Sequence, residues 1–205
     1  MLLILLVVVI GFLALIAAGE GLARLTIRRG PFFVFPPGQR ERHWLHRESH
    51  PQLEPVVRRM VNAMGERGRA LPGLGRVYRV LIVGGSAAEC FSQDQDTQWP
   101  SVLESQLRAP GALRRLGVDD AHVGNIGRSG VDTGSLDLIL SRVLPNYSPH
   151  DLIVVMVGAS DVLRWLETGA PPDTPAAPLA EADLFGCNPR MRFGLSPRDT
   201  AIATL

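Results

Sequence analysis

Arg76-Val77-Tyr78-Arg79-Val80-Leu81-Ile82-Val83-Gly84-Gly85-Ser86-Ala87 is the stretch whose reading decides the fold. Residues 77–83 read as a β-strand, rich in β-branched and aliphatic side chains, which two glycines break just before a serine. Downstream, residues 98–107 read as a helix, with Trp99, Val102, Leu103 and Leu107 at helical spacing. Asp96 or Thr97 is its expected cap, and Pro100 suits its first turn. Residues 121–126 read as a second strand. Residues 132–144 read as a helix with Leu136, Ile139, Leu140, Val143 and Leu144 on one face. Residues 152–157 form a third strand, apolar at every position, the pattern of a strand covered on both faces. This alternation predicts an α/β fold: a doubly wound parallel sheet in three layers, with the strands in the spatial order second, first, third.

Upstream, residues 1–18 are almost unbroken Leu, Ile, Val, Ala and Phe, with no charge before Glu20. Continued to residue 25 at about 1.5 Å per residue, the run can cross a hydrocarbon core of about 30 Å. A single-pass transmembrane helix with lipid as its partner is the expectation. The rival, a cleaved signal peptide, lacks a basic leading region, although Ala17-Ala18-Gly19 offers a cleavage site. Arg24, Arg28 and Arg29 follow the span, and by the positive-inside rule would hold that flank in the cytoplasm.

The three expected regions are 1–25, a membrane anchor; 26–75, a membrane-proximal linker; and 76–205, the front part of the globular domain. In the linker, Phe32, Phe33 and Phe35 are expected at the lipid interface, residues 39–50 as a solvated Arg- and His-rich segment, and residues 51–65 as a short helix. His43, His46 and His50 invite a metal-site reading, but no carboxylate or Cys stands at ligand spacing on a defined element. Residues 169–180 read as a Pro- and Ala-rich loop. Ser196-Pro197-Arg198-Asp199 has the form of a capping box, opening a helix with no room to finish before Leu205. That predicts a reading frame that continues.

A net charge of +1 without a long basic run gives no footprint for nucleic acid. Cys90 and Cys187 lack a CxxC partner, so neither a zinc site nor a disulfide framework is expected, although one bridge between them stays open. No cofactor or metal is implied.

Three loops follow the carboxyl ends of the three strands: Gly84-Gly85-Ser86-Ala87, Asn125-Ile126-Gly127-Arg128-Ser129-Gly130 and Gly158-Ala159-Ser160-Asp161. In an open α/β sheet this is the edge where ligands bind. Around them, Glu89, Asp94 and Asp96 read as solvated loop charges, Cys90 as a small buried hydrophobe, and Asp161 as a cap for the helix through Leu166.

These three blocks, in this order, resemble the SGNH (GDSL-like) hydrolase family, and the resemblance covers roughly residues 62–166. It extends to Asn62-x-x-Gly65-x-Arg67-Gly68, which is similar to a segment preceding the first block in membrane-anchored members. The resemblance implies an SGNH/flavodoxin-like domain, incomplete in this chain, and a serine esterase. Ser86 is its nucleophile, and the N–H groups of Ser86 and Gly130 are its oxyanion donors. Ser160 stands where the family has its third donor, an asparagine, and loss of one such donor typically lowers the rate about 10²- to 10³-fold. The family's Asp-x-x-His block is not found. Asp119-Asp120-Ala121-His122 imitates it but enters the second strand from its amino end, and His150 stands likewise at the third. These residues alone are therefore expected to be inactive. By the family analogy the domain is extracytoplasmic, and the substrate is an unidentified acyl or acetyl ester of an envelope lipid or polysaccharide.

Three other readings compete. Gly84-x-Ser86-x-Ala88 imitates the nucleophile elbow of α/β-hydrolases, but that fold places several strands before its serine. Gly124-x-x-Gly127-x-x-Gly130 hints at a nucleotide module without fitting a phosphate-loop pattern. The alternative outside enzymology is a membrane protein that keeps an SGNH-like domain for binding or assembly.

Overall fold

The computed structural model describes residues 2–26, 31–45, 48, 51–169, 171 and 178–187. The chain divides into two units. In the first, α1 (Leu2–Thr26) is a continuous helix, and within it Leu5–Arg24 has a mean hydropathy of 2.5. By length and composition it can cross a membrane. Its ionic groups, Glu20 and Arg24, pair one turn apart at 2.6 Å.

The second unit, Pro31–Asn188, is an α/β domain. Its centre is β3 (Val77–Gly84), flanked in parallel by β4 (Asp120–Asn125) and β5 (Leu152–Met156). The order β4-β3-β5 is the predicted one, with Val80 facing Val123 on one side and Leu152 on the other. The chain leaves β3 in one direction and then returns across it, so the helices lie on opposite faces. α3 (Trp99–Leu107) covers Val80, Ile82 and Val123 through Trp99, Leu103 and Leu107. α5 (Thr133–Val143) covers Leu81 and Val83 through Leu136, Ile139 and Val143. Period-two alternation along β3 thus feeds two cores.

The structure changes several expectations. α3 begins after Gln98 with no side-chain cap, so neither Asp96 nor Thr97 caps it. Residues 51–65 are not a helix: β2 (Val56–Met60) pairs antiparallel with β1 (Arg40–Trp44), within the stretch read as a linker. The alternation in β2 is real, because Val57 and Arg59 are buried while Arg58 and Met60 face outward. The pairing partner decided between helix and strand, and that partner is remote in sequence. Phe32 and Phe35 are not at a lipid interface either; they lie in the α5-side core, with Phe32 edge-on to Phe185 at 4.9 Å.

β5 carries the largest difference. Leu152, Ile153, Val155 and Met156 are exposed, so among the described residues this apolar strand is not covered. α6 (Ala159–Thr168), which follows it, likewise exposes Val162, Leu163, Trp165 and Leu166. The capping-box stretch at 196–199, His46, His50 and most of the loop at 170–177 lie outside the described residues.

Candidate active site

The site is built on the glycines after β3. Gly84 has φ 147°, and a Cβ there would lie 2.0 Å from the Met156 carbonyl oxygen. Only glycine lets the ends of β3 and β5 approach so closely. Gly85 N–H then donates to that carbonyl at 3.0 Å, and the chain turns directly into α2 (Ser86–Glu89). Ser86 is the first residue of this turn of helix and is exposed. Among the described residues no hydrogen bond engages its side chain or its N–H.

One turn of helix is unstable by itself and leaves its carbonyls unpaired. Here Ser86 O accepts from Cys90 N at 3.1 Å, and each of the other three carbonyls receives a side-chain donor. The Trp99 indole N–H donates to Ala87 O at 3.0 Å, and Asn125 Nδ2 to Ala88 O at 2.7 Å. Arg67 Nη1 donates to Glu89 O at 2.7 Å and to Cys90 O at 2.9 Å. Arg67 Nη2 reaches Gln93 O at 2.6 Å. Burial draws the Arg67 guanidinium down to about 10, and its carbonyl partners replace the lost water.

The segment from Asn62 to Gly68 therefore has a legible task. Asn62 Oδ1 accepts from Met64 N and Glu66 N, closing a tight turn. Gly65, at φ 72°, leaves room for Phe33. Arg67 then joins the end of β4 through reciprocal backbone bonds with Asn125, at 2.8 and 3.1 Å. Gly127 is also required by proximity, since a Cβ there would meet Glu89 N at 2.6 Å.

The second block is tied to the first. Arg128 N–H donates to Gly84 O at 2.8 Å. Glu89 is not a solvated charge: it is 6% exposed, and its Oε2 accepts from Ser129 N at 2.6 Å and Ser129 Oγ at 2.5 Å. Asp94 is also buried, because Arg58 donates to it from both backbone and side chain and holds its carboxyl below the usual range. Asp96, on the outer side of Arg58, is exposed as expected. Gly130 follows Ser129 with φ 80° and open space around it, so the backbone angle demands glycine there.

Ser160 stands in the first turn of α6, half-exposed. Asp161 does not cap its own helix. It accepts from Thr133 N at 3.0 Å, at the start of α5, where Asp132 caps through Ser135 N and pairs with Arg164. The loops carrying Ser86, Gly130 and Ser160 thus leave adjacent strands and are joined at Gly84 and Gly85. Gly158, at φ 119°, makes the turn into α6. Cys90 is a buried free thiol whose pKa burial pushes up, and Cys187 is also free.

The described histidines are committed elsewhere. His122 pairs in register with Arg79, five residues before Gly84, or about 16 Å down the sheet. It is fully buried, 2.9 Å from Glu66 Oε2 and 3.3 Å from Glu104 Oε1. His150 lies 3.5 Å from Glu66 Oε1, with Arg79 3.8 Å from the same oxygen. Burial alone would push Glu66 up, but contacts with His122, His150 and Asn62 outweigh it and hold the carboxyl down to about 2. Burial likewise opposes charge on His122, yet Glu104 and Glu66 raise its pKa above the ordinary value. Gly124 makes room for this cluster, since a Cβ there would lie 2.5 Å from the Glu66 carboxyl carbon. His43, in β1, pairs with Glu41 at 3.0 Å.

Sequence reading missed Arg67, Glu89 and Glu66 as the props of this arrangement. Only the Asn62-x-x-Gly65-x-Arg67-Gly68 spacing marked the segment that carries two of them.

No protein-family model matches the chain, and no curated protein matches it. Solved structures resemble part of it. AlinE4, described as an SGNH-hydrolase family esterase, is 29% identical over 46% of this chain and 46% of its own, with a TM-score of 0.36. Two mutants of that esterase match over the same shares, at 29% and 28% identity and a TM-score of 0.36. The chain spans under half the length of the solved structures it resembles.

Proposed function

We propose that this domain is the nucleophile-bearing part of a membrane-anchored serine esterase of SGNH type. The observation that carries the reading is the exposed Ser86 at the head of a helical turn whose last three carbonyls are fixed by Trp99, Asn125 and Arg67. A turn so constrained holds one hydroxyl and one N–H in place without reorganisation, as nucleophilic attack and oxyanion stabilisation both require.

In this mechanism Ser86 Oγ attacks the ester carbonyl, and the carbonyl oxygen becomes the oxyanion of a tetrahedral intermediate. Ser86 N–H and Gly130 N–H donate to it, and the Ser160 hydroxyl takes the third donor position. Collapse expels the alcohol and leaves an acyl-Ser86, which water hydrolyses. The proton from Ser86 needs a base in hydrogen-bond reach. His122 and His150 are held by Glu66 at the far end of the sheet and His43 pairs with Glu41, so the proposed base lies among residues other than the described histidines. We expect the 205 residues by themselves to turn over no ester at a useful rate. α1 holds the domain at a membrane, and the family analogy, against the positive-inside reading of Arg24, Arg28 and Arg29, places the domain on the extracytoplasmic side.

The test is fluorophosphonate labelling and nitrophenyl acetate turnover by the complete product of the reading frame and, where that product is longer, by these 205 residues beside it. The expected result is labelling at Ser86 in the complete product, abolished by Ser86→Ala, and none in the 205-residue chain. An unlabelled Ser86 in the complete product would instead support a non-catalytic binding or assembly role, the reading that the Ser160 position favours.

A further inference from the structure

A cavity of about 590 Å³ opens beside the second block, and none of the chemistry above uses it. Phe35, Pro36 and Phe91 give it apolar walls. It meets the site through Ser129, which precedes Gly130, and Glu89, one helical turn after Ser86. Two guanidinium groups line it, Arg59 from β2 and Arg128 from the β4–α5 loop.

The side chain of Arg59 is 9% exposed, with its guanidinium stacked 3.9 Å from the centre of the Phe35 ring. Its Nε and Nη2 are buried with no hydrogen-bond partner among the described residues, and its Nη1 faces Glu89 at 3.3 Å. Burial lowers its pKa, as expected of a cation that has lost water without gaining a full set of acceptors. Arg128 is half-exposed, and among the described residues its side chain makes one long hydrogen bond, 3.4 Å to Val34 O. The carboxylates in the cavity are already engaged. Glu89 takes both donors of Ser129, and Glu41 takes Gln39 at 2.6 Å and His43 at 3.0 Å. Among the described residues, the free donors that open onto the cavity are therefore those of the half-exposed Arg128, with the Arg59 charge buried behind.

We propose that the cavity binds a carboxylate carried by the substrate, held by the fork of Arg128 within the field of the buried Arg59 charge. A guanidinium with free N–H groups matches a carboxylate in two parallel bonds, and a buried charge is screened less by salt than an exposed one. The apolar walls take the carbon skeleton that bears the group. As a statement about substrate class this rests on Ser86 being the reacting serine, because the cavity joins the site through Ser129 and Glu89. The carboxylate sits either on a sugar, as in a uronate, or on an acyl chain, as in a half-ester of a dicarboxylic acid.

The experiment is a calorimetric or ligand-observed NMR titration of the full chain in detergent, with D-glucuronate, succinate and D-glucose as probes. At least one of the two carboxylates should bind about tenfold or more tightly than glucose, and the tighter one identifies the source. Arg128→Gln should remove that advantage, and high salt should reduce it. Arg128 is half-exposed on a loop, so this variant keeps the fold, and Arg59→Met serves as the second probe. Equal affinity for all three compounds, or carboxylate binding unchanged by Arg128→Gln, overturns the proposal. Binding is read without turnover. Carboxylate binding in a complete protein without esterase activity therefore retains the cavity and removes the esterase. Turnover without carboxylate binding does the reverse.

Discussion

β4 and β5 flank the same strand in the same direction, and their fates are opposite to their compositions. β4 reads Asp-Ala-His-Val-Gly-Asn and is buried along almost its whole length. β5 reads Leu-Ile-Val-Val-Met and is largely exposed. The outer edge of β4 is sealed by groups from other segments. Arg69 donates to Ala121 O at 2.7 Å, Glu104 accepts from Val123 N at 3.1 Å, and Arg67 pairs with Asn125 through the backbone. His122, pointing off that strand, is absorbed by Glu66 and Glu104. Among the described residues no strand pairs with the outer edge of β5. Burial is thus set by what arrives to cover a strand, and polar residues are buried readily when partners arrive with them.

The most severe way to break the sealed side is Glu66→Gln. It leaves His122, His150 and Arg79 without their shared carboxylate in a buried place. Loss of one partner from such a cluster costs on the order of 3–5 kcal/mol. Chemical denaturation followed by circular dichroism should show that loss, and a change within 1 kcal/mol would mean the cluster is dispensable.

Acid probes the same cluster without mutation. The Glu66 carboxyl lies at about 2 in the folded chain against an ordinary 4.5, so its stabilisation is complete above the ordinary value and is lost as pH falls toward 2. The shift corresponds to roughly 3 kcal/mol at most. His122 runs the other way. Its folded pKa is raised above 6.5, so its contribution is present below that pH and is lost as pH rises through the folded value. Stability should therefore peak on the acid side of neutrality, between those limits. Glu66→Gln should flatten the acid arm.

Gly84→Ala tests the junction between β3 and the open side. The added methyl meets the Met156 carbonyl, and the backbone angle disfavours any side chain. A cost of about 1–3 kcal/mol is expected, and the proposed esterase activity should fall further because Ser86 is two residues away. Activity retained at the wild-type level would detach Ser86 from the proposed chemistry.

The smallest effect sharpens the contrast most. Val155→Lys, on a residue 52% exposed, should change the stability of this chain by no more than about 0.5 kcal/mol. The same change at Val123, 2% exposed, should cost several-fold more. A large loss at Val155 would show that β5 is covered in solution.

The parallel sheet was legible before any coordinates. A run such as Val80-Leu81-Ile82-Val83 ending in two glycines, repeated at intervals with amphipathic helices between, leaves few other folds, and the order β4-β3-β5 is the one expected of a doubly wound sheet whose three loops converge. The α1 span and the three loops were legible for the same reason, since each is coded by neighbours in sequence. β1 and β2, the buried charges of Glu66, Glu89 and Asp94, and the exposure of β5 were not. Each depends on a partner 12 to 84 residues away or on a covering layer, and hydrophobic periodicity carries no information about either. Sequence by itself determined which segments become strand, helix or turn around Ser86. Tertiary structure alone decided which charges are buried, and that Arg67 holds the turn from behind, because a buried ion is tolerable only where the fold delivers its counter-groups.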